Sequence, residues 1–405
     1  VQAIAGSTPL VYLLHTAFGS LALVVTREEI KDIWLNDFEH NNQLRIWLGM
    51  GVEEWEALSH SERWNMDEPL TAEDDAKLMN GYSYPAWLLS KVPNLEITRD
   101  LWARALDNTS VMLGNMVMQP IVEYLLGRGF KSAIFVPSGI FSLVPLHLAS
   151  IPDPVDQEAR RFALDCLTLS LAPSARALQT AQSIAARVEA RKLLVIDNPD
   201  HSLHYTREEV ALILANFKDS VCLSGSQASL ACVKEELSKN TVIHFATHGS
   251  ANIADPLSNS LLLADGVITL ADIFRLQLPG VRLAVLSACE TSASGQELDE
   301  AVSLPGGFLQ AGSGGIVATF WPVSDLSTAM VMARFYDLWL KEKVEPAYAL
   351  QQAQIWLRDT TNREKKVYFQ QTMPDAFSKY FEWQDPDARS FTDPYDWASF
   401  TYTGV

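Results

Sequence analysis

Two residues of the chain, His248 and Cys289, have side chains that can act together as base and nucleophile. An isolated thiol has a pKa of about 8.5 and is mostly protonated at neutral pH, so an imidazole that removes its proton makes it a competent nucleophile. Gly249 follows the histidine, and its backbone N–H, together with that of Cys289, offers two donors to a developing oxyanion. These residue types indicate acyl transfer through a covalent intermediate.

The elements that carry these two residues explain how they meet. His248 closes the apolar run TVIHFATHG and Cys289 closes the run VRLAVLSAC, with one helix predicted between them. Adjacent parallel strands lie about 4.8 Å apart, and reactive groups collect beyond their carboxyl ends. The pattern therefore predicts that imidazole and thiol meet at one edge of a parallel sheet.

The wider pattern is an alternation of short strands and helices, which is typical of an α/β fold with a parallel sheet. It begins at Arg191, and Thr269 is the predicted N-cap of the helix TLADIFRL. A hairpin is predicted over residues 10–26 and a closing strand in WASFTYTGV. The predicted boundary between two halves lies near Ala190.

The composition describes a folded, acidic chain. Of its 405 residues, 48% are hydrophobic and 20% are charged, and the formal net charge is −18. Such a chain can bury a large core, and its negative field repels nucleic acid and anionic membranes. Residues 52–75, rich in Glu, Asp and Trp, predict a solvated helical or loop face.

The cysteines and the amino terminus bear on location. The four cysteines form no CxxC pair, which argues against a disulfide scaffold or structural zinc and favours a reducing, cytoplasmic location. The first apolar run lacks a basic start and is broken by His15 and Gly19, so it predicts neither a signal peptide nor a membrane span. The chain begins at Val1 without Met, which predicts a fragment of a longer polypeptide.

The same residues have structural alternatives. Cysteine is often buried, so Cys289 taken alone is a packing residue, as is expected of Cys166, Cys222 and Cys232. His248 taken alone is a hydrogen-bonded turn histidine. These alternatives stay open for any single residue considered without its partner.

Metal, nucleotide and serine-hydrolase chemistry find no support. His244 and His248 are four residues apart, which on a strand is about 13 Å and too far to share a metal, so His244 is expected to pack or hydrogen-bond within the sheet. The run AGSGG around Gly312 lies between a helix and a strand, the reverse of a phosphate loop. No G-x-S-x-G elbow is present. The chemistry of a thiol and an imidazole needs no cofactor.

The runs HFATHG, LAVLSACET and GGFLQAGSGGIVATFWPVSD, in this order, resemble the CHAT domain, a caspase-like cysteine peptidase module related to separases, caspases and gingipains. FVPSGIFSLVPLHLAS and DPYDWASFTYTGV extend the resemblance over nearly the whole chain. In the family the histidine of the THG step and the cysteine of the SAC step form the catalytic dyad, which implies His248 as general base and Cys289 as nucleophile. The chain has SACET in place of the caspase QACRG, so aspartate specificity is not implied.

The resemblance also implies an architecture and partners. It implies a caspase-like α/β fold, with a parallel-rich sheet flanked by helices, in which a pseudo-peptidase lobe (1–189) supports a catalytic lobe (190–405). Family members often carry upstream TPR repeats or sensor modules. A protein substrate and an activating protein or upstream region are therefore the expected partners.

A specificity pocket is a further implication of the resemblance. In separase and gingipain relatives an acidic residue receives a basic substrate residue, and Asp325 in WPVSD resembles it. Because Asp325 stands just before a helical run, an N-cap is the alternative; Asp255 is a weaker candidate for the pocket. The expected function is a cysteine endopeptidase, with a catalytically latent or inactive interaction scaffold as the alternative.

Overall fold

The computed structural model describes most of the chain outside one long N-terminal segment. The described residues are 1–16, 19–35, 103, 106, 107, 109–142, 144–153, 159–250, 255–287, 303–321, 323–373 and 375–405. Cys289 and the acidic stretch 52–75 lie outside these residues.

Strands and helices alternate along the described chain. The strands are β1 (Leu10–Thr16), β2 (Gly19–Val25), β3 (Ile30–Trp34), β4 (Ser132–Pro137), β5 (Ser150–Pro152), β6 (Arg160–Phe162), β7 (Thr168–Leu171), β8 (Lys192–Asp197), β9 (Asp219–Ser224), β10 (Val242–Ala246), β11 (Gly249–Ser250), β12 (Ser260–Leu263), β13 (Gly266–Thr269), β14 (Leu283–Ser287), β15 (Gly315–Thr319) and β16 (Phe400–Gly404). The α-helices are α1 (Gln2–Ala5), α2 (Gln119–Gly127), α3 (Ala163–Cys166), α4 (Ala175–Arg187), α5 (Thr206–Leu214), α6 (Leu230–Leu237), α7 (Leu270–Ile273), α8 (Leu304–Ala311), α9 (Asp325–Tyr336), α10 (Pro346–Asp359), α11 (Asn362–Thr372), α12 (Ser378–Glu382) and α13 (Pro394–Trp397).

One large sheet organises the molecule. Its 11 strands run in the order β3-β2-β1-β4-β7-β16-β15-β14-β10-β8-β9. The pairs from β9 through β8, β10 and β14 to β15 are parallel, whereas β1–β2, β2–β3 and β15–β16 are antiparallel. The predicted α/β class with a mostly parallel sheet and flanking helices is confirmed.

Helices cover both faces of the central strands. A parallel sheet covered in this way has strands that are apolar nearly throughout, and every residue of β10 and β14 is buried. Val242 and Val285 pack with α5, α9 and α10 on one face, and Phe245 and Leu286 pack with α8 on the other. This double burial fixes the strands whose carboxyl ends form the site.

The last strand, β16, lies between the two halves of the sheet. It pairs antiparallel with β15 along its whole length and parallel with β7 through Thr403 and Leu171. One sheet therefore crosses the expected lobe boundary, which falls between α4 and β8. The division into lobes at residues 189 and 190 stays a prediction.

Several local predictions are confirmed. The hairpin predicted over residues 10–26 is β1 and β2 in antiparallel register. The Thr269 side chain accepts a hydrogen bond from the N–H of Asp272 and so caps α7, as predicted. Gly312 ends α8 in the left-handed region at φ 109°, which explains a glycine in AGSGG as a helix terminus.

Other predictions are wrong. The connection between β10 and β14 holds a small antiparallel sheet, β11-β12-β13, in addition to a helix, because strands of 2 and 4 residues are too short to show a period. Cys222 and Cys232 are exposed rather than packed. Cys222 lies on β9, the last strand in the sheet order, and Cys232 faces away from the buried Val233 on α6. Cys166 is half-buried, and burial raises the pKa of its thiol to about 11.

No helix of the described residues is both long enough and apolar enough to cross a membrane.

Candidate active site

The two strands that carry the predicted dyad are direct neighbours. β10 and β14 pair in parallel, and Ala246 at the end of β10 is the register partner of Ser287 at the end of β14. His248 lies two residues beyond Ala246, and Cys289 lies two residues beyond Ser287. The predicted adjacency of the strands is confirmed. The contact between His248 and Cys289 stays a prediction, because Cys289 lies outside the described residues.

His248 is accessible and is held by the loop that follows β8. Its side chain is 40% exposed and is therefore open to solvent. The ring Nε2 lies 2.6 Å from Ser202 Oγ and 4.0 Å from Asp200 Oδ2. Partial burial of Asp200 opposes its ionisation, but hydrogen bonds from Ser202 and the charge of His248 hold the pKa of this carboxyl below its ordinary value.

Sequence reasoning missed Asp200 and Ser202. They belong to the run DNPDHS, which directly follows the strand RKLLVID, and β8 pairs in parallel with β10 through Asp197 and Ala246. Polar residues just past a strand that neighbours the histidine strand were the available signal. Only the three-dimensional path of the loop decides which of them turns toward His248.

The predicted pocket residue Asp325 lies beside His248. Both line one pocket at the carboxyl ends of β10 and β14, together with Glu209 and Ser287. The N-cap of α9 is Ser324, whose side chain accepts from the N–H of Leu326. The carboxylate of Asp325 instead accepts a hydrogen bond of 2.9 Å from the backbone N–H of His204.

The remaining predicted residues are placed differently. Asp255 is exposed at the start of the 3-10 turn Pro256–Ser258 and does not line the pocket around His248 and Asp325. Gly249 begins β11 and pairs with Leu261 of β12. The role of Gly249 as an oxyanion donor stays a prediction.

A buried hydrogen-bond network lies under the pocket. Glu209 Oε1 accepts a hydrogen bond of 2.7 Å from the hydroxyl of Ser287 and lies 3.1 Å from His244 Nε2, while His244 Nδ1 lies 3.3 Å from the hydroxyl of Tyr336. Burial and then the negative charge of Glu209 hold the pKa of Tyr336 well above its ordinary value. His244 is buried, so the expectation that it packs against the sheet is confirmed, but its hydrogen-bond partners lie on α5 and α9 rather than within the sheet. Among the described residues, no group of three acidic, histidine or cysteine side chains is placed to hold a metal.

Comparison with known proteins decides the family. The sequence profile of the CHAT domain matches residues 108–405. The chain belongs to the CHAT domain family. A search of curated proteins finds no match to this CHAT chain.

Solved structures share the fold of the CHAT chain. Two structures of the Saccharomyces cerevisiae separase–securin complex match 100% and 99% of it at 11% identity, with TM-scores of 0.53 and 0.51. The CHAT chain spans 30% of the separase chain. The Arg specific cysteine proteinase gingipain R matches 72% of the chain over 67% of its own length, at 8% identity and a TM-score of 0.44. At 11% identity the likeness to the two separase structures shows the fold alone, which is that of a caspase-like peptidase.

Proposed function

We propose that this CHAT domain is a cysteine endopeptidase that cleaves a protein substrate through His248 and Cys289. The main support for the proposal is the register of β10 and β14. Ala246 and Ser287 are paired at the ends of these strands, and His248 and Cys289 each lie two residues further along the chain. Paired positions on adjacent strands are about 4.8 Å apart. An imidazole and a thiol that start from such positions are within reach of each other.

In the proposed reaction the imidazole of His248 takes the thiol proton, and the thiolate attacks the carbonyl carbon of the scissile peptide bond. The N–H groups of Gly249 and Cys289 stabilise the negative charge on the carbonyl oxygen. The imidazolium protonates the departing amine as the C–N bond breaks, which leaves a thioester on Cys289. Water, deprotonated by the same imidazole, hydrolyses the thioester and restores the thiol.

Cleavage by single-residue variants tests the dyad. Cys289→Ala and His248→Ala are each expected to abolish cleavage of a substrate that the unaltered protein cuts, without a change in melting temperature. The matched control is Cys222→Ala, because Cys222 is an exposed thiol on β9 away from the site. Cleavage that survives Cys289→Ala contradicts the proposal.

We propose further that the pocket beside His248 receives a basic side chain of the substrate. Asp325 and Glu209 both line it, and although Glu209 Oε1 already accepts a hydrogen bond from Ser287, the negative charge of the two side chains makes the pocket complementary to a guanidinium or ammonium group. The formal charge of −18 adds long-range attraction for basic segments.

Peptides that differ only in the residue before the scissile bond test this preference. Asp325→Asn is expected to lower kcat/KM for the arginine peptide about tenfold or more relative to the norleucine peptide. This factor corresponds to the typical free energy of a hydrogen bond to a charged group. Asp255→Asn, at an exposed position outside the pocket, serves as the control and is expected to change nothing. Equal turnover of arginine and norleucine peptides by the unaltered protein removes the assignment.

A latent form, active only with a partner protein or an upstream region, is the second candidate. It is favoured by the yeast separase structures, in which a protein of the same fold is bound to securin. An electrophilic peptide probe distinguishes the cases. Labelling of Cys289 only after an activator is added supports gating, and no labelling under any condition supports an inactive interaction scaffold.

The exposed thiols of Cys222 and Cys232 are consistent with a reducing, cytoplasmic location.

A further inference from the structure

We infer, on the basis of the proposed peptidase function, that Ser202 and Asp200 are positioning residues that keep the proton of neutral His248 on Nε2, so that Nδ1 is the base. Ser202 Oγ lies between the two groups, 2.8 Å from Asp200 Oδ1 and 2.6 Å from His248 Nε2. Neither residue belongs to the dyad itself. Their effect on the reaction passes through the orientation and tautomer of the imidazole.

The direction of each hydrogen bond follows from the chemistry of the three groups. The hydroxyl of Ser202 has one proton, and an ionised carboxylate can only accept. The lowered pKa of Asp200 keeps it ionised at neutral pH, so the Ser202 hydroxyl donates to Asp200. The oxygen of Ser202 then accepts from His248, which requires an N–H at Nε2 and leaves the lone pair at Nδ1.

The loop that carries Ser202 is anchored to the same strand as His248. The N–H of Asn198 donates to the carbonyl of Ala246, at the end of β10, over 2.8 Å. The side chain of Asn198 donates to the carbonyl of Leu203 over 2.9 Å and accepts from its N–H over 3.2 Å. Asn198 takes the left-handed region at φ 43°, which asparagine tolerates better than most residues. The loop that carries Ser202 and the segment that carries His248 are therefore both attached to the end of β10.

The tautomer matters because the opposite one would present an N–H, which cannot accept a proton, to the thiol. The hydrogen bond to Ser202 selects between tautomers that are otherwise close in energy, and Asp200 orients the Ser202 hydroxyl. Without the Ser202 hydroxyl, we expect His248 to populate both tautomers, and only the one with its proton on Nε2 can take the thiol proton at Nδ1.

Nitrogen NMR of the whole 405-residue protein tests the tautomer without any substrate. In protein labelled with 15N-histidine, the His248 signals are assigned by their loss in His248→Ala. We expect Nε2 to give a protonated-type shift and Nδ1 an unprotonated-type shift at neutral pH, and Ser202→Ala to average the two. A proton found on Nδ1 in the unaltered protein, or a spectrum unchanged by Ser202→Ala, overturns the inference.

Kinetics provide the second readout. Ser202→Ala is expected to lower kcat about 3- to 10-fold with KM unchanged, because the imidazole loses its orientation as well as its single tautomer. Ser202→Thr is expected to keep most of the activity, which a merely structural role would not produce. Ser224→Ala is the matched control, because the Ser224 hydroxyl donates to Asp197 over 2.8 Å in an equivalent serine–aspartate pair, and it is expected to change neither readout. If Ser202→Ala changes the tautomer of His248 but the unaltered protein cleaves nothing, the peptidase function alone is refuted. If the unaltered protein cleaves its substrate but the tautomer does not depend on Ser202, the positioning role alone is refuted.

Discussion

His147 provides a test of how the two halves of the sheet are joined. Its Nε2 lies 2.6 Å from the carbonyl oxygen of Ala398, just before β16, and its ring stacks on Phe320 just after β15. Burial lowers the pKa of His147 from 6.5 to about 4, although the hydrogen bond to Ala398 acts in the opposite direction. The folded protein therefore holds this imidazole neutral in a range of pH where the unfolded chain is protonated.

The sign and size of the effect follow from proton linkage. Because the folded pKa is depressed, the stabilisation is fully present above pH 6.5 and is lost as the pH falls toward 4. With these two values, the free energy of unfolding falls by about 2 kcal/mol between pH 7.5 and pH 5, and by about 3 kcal/mol below pH 4, from this group alone.

Urea denaturation of the unaltered protein and of His147→Gln, at pH 7.5 and pH 5, measures this contribution. The glutamine side chain of the variant cannot titrate but keeps an N–H that can donate to Ala398, so we expect the variant to lose about 2 kcal/mol less than the unaltered protein over this interval. His204→Gln removes an exposed imidazole and should leave the loss unchanged. Equal losses in the unaltered protein and in His147→Gln would refute the assignment.

Three further substitutions test buried hydrogen bonds, packing and helix capping through the free energy of unfolding. Glu209→Ala leaves two buried donors without an acceptor, so we expect a loss of about 2–6 kcal/mol by urea denaturation. Gly315→Ala would place a Cβ 2.1 Å from the hydroxyl of Tyr402 on the neighbouring strand, and overpacking of this kind costs about 1–3 kcal/mol. Ser174→Ala removes the side-chain cap of α4, so we expect the free energy of unfolding to fall by about 1 kcal/mol, whether it is measured by urea or by thermal denaturation.

The periodic parts of the fold were predictable from the sequence. Apolar runs such as RKLLVID and TVIHFATHG, separated by amphipathic helices, leave few arrangements other than a parallel sheet with crossover helices. Adjacency of the strands before His248 and Cys289 followed from the same rule. These features depend on local pattern and on general topology, which a single sequence contains.

Features set by tertiary contact were not predictable. Ser202 approaches His248 only because Asn198 folds the loop back onto the end of β10. Cys222 is exposed because β9 is the last strand of the sheet order, a position that its alternating residues do not reveal. The insertion of β16 between β7 and β15 depends on a pairing across more than half of the chain.

Covalent labelling, mapped by peptide mass spectrometry, tests the dyad most directly. The protein is treated with a peptidyl acyloxymethyl ketone that ends in arginine, and the adduct is quantified on each cysteine. We expect an adduct on Cys289, none in His248→Ala, and little on the exposed Cys222 and Cys232. Labelling of Cys289 that is unchanged in His248→Ala, or that only equals labelling of the two exposed thiols, would contradict the proposed dyad.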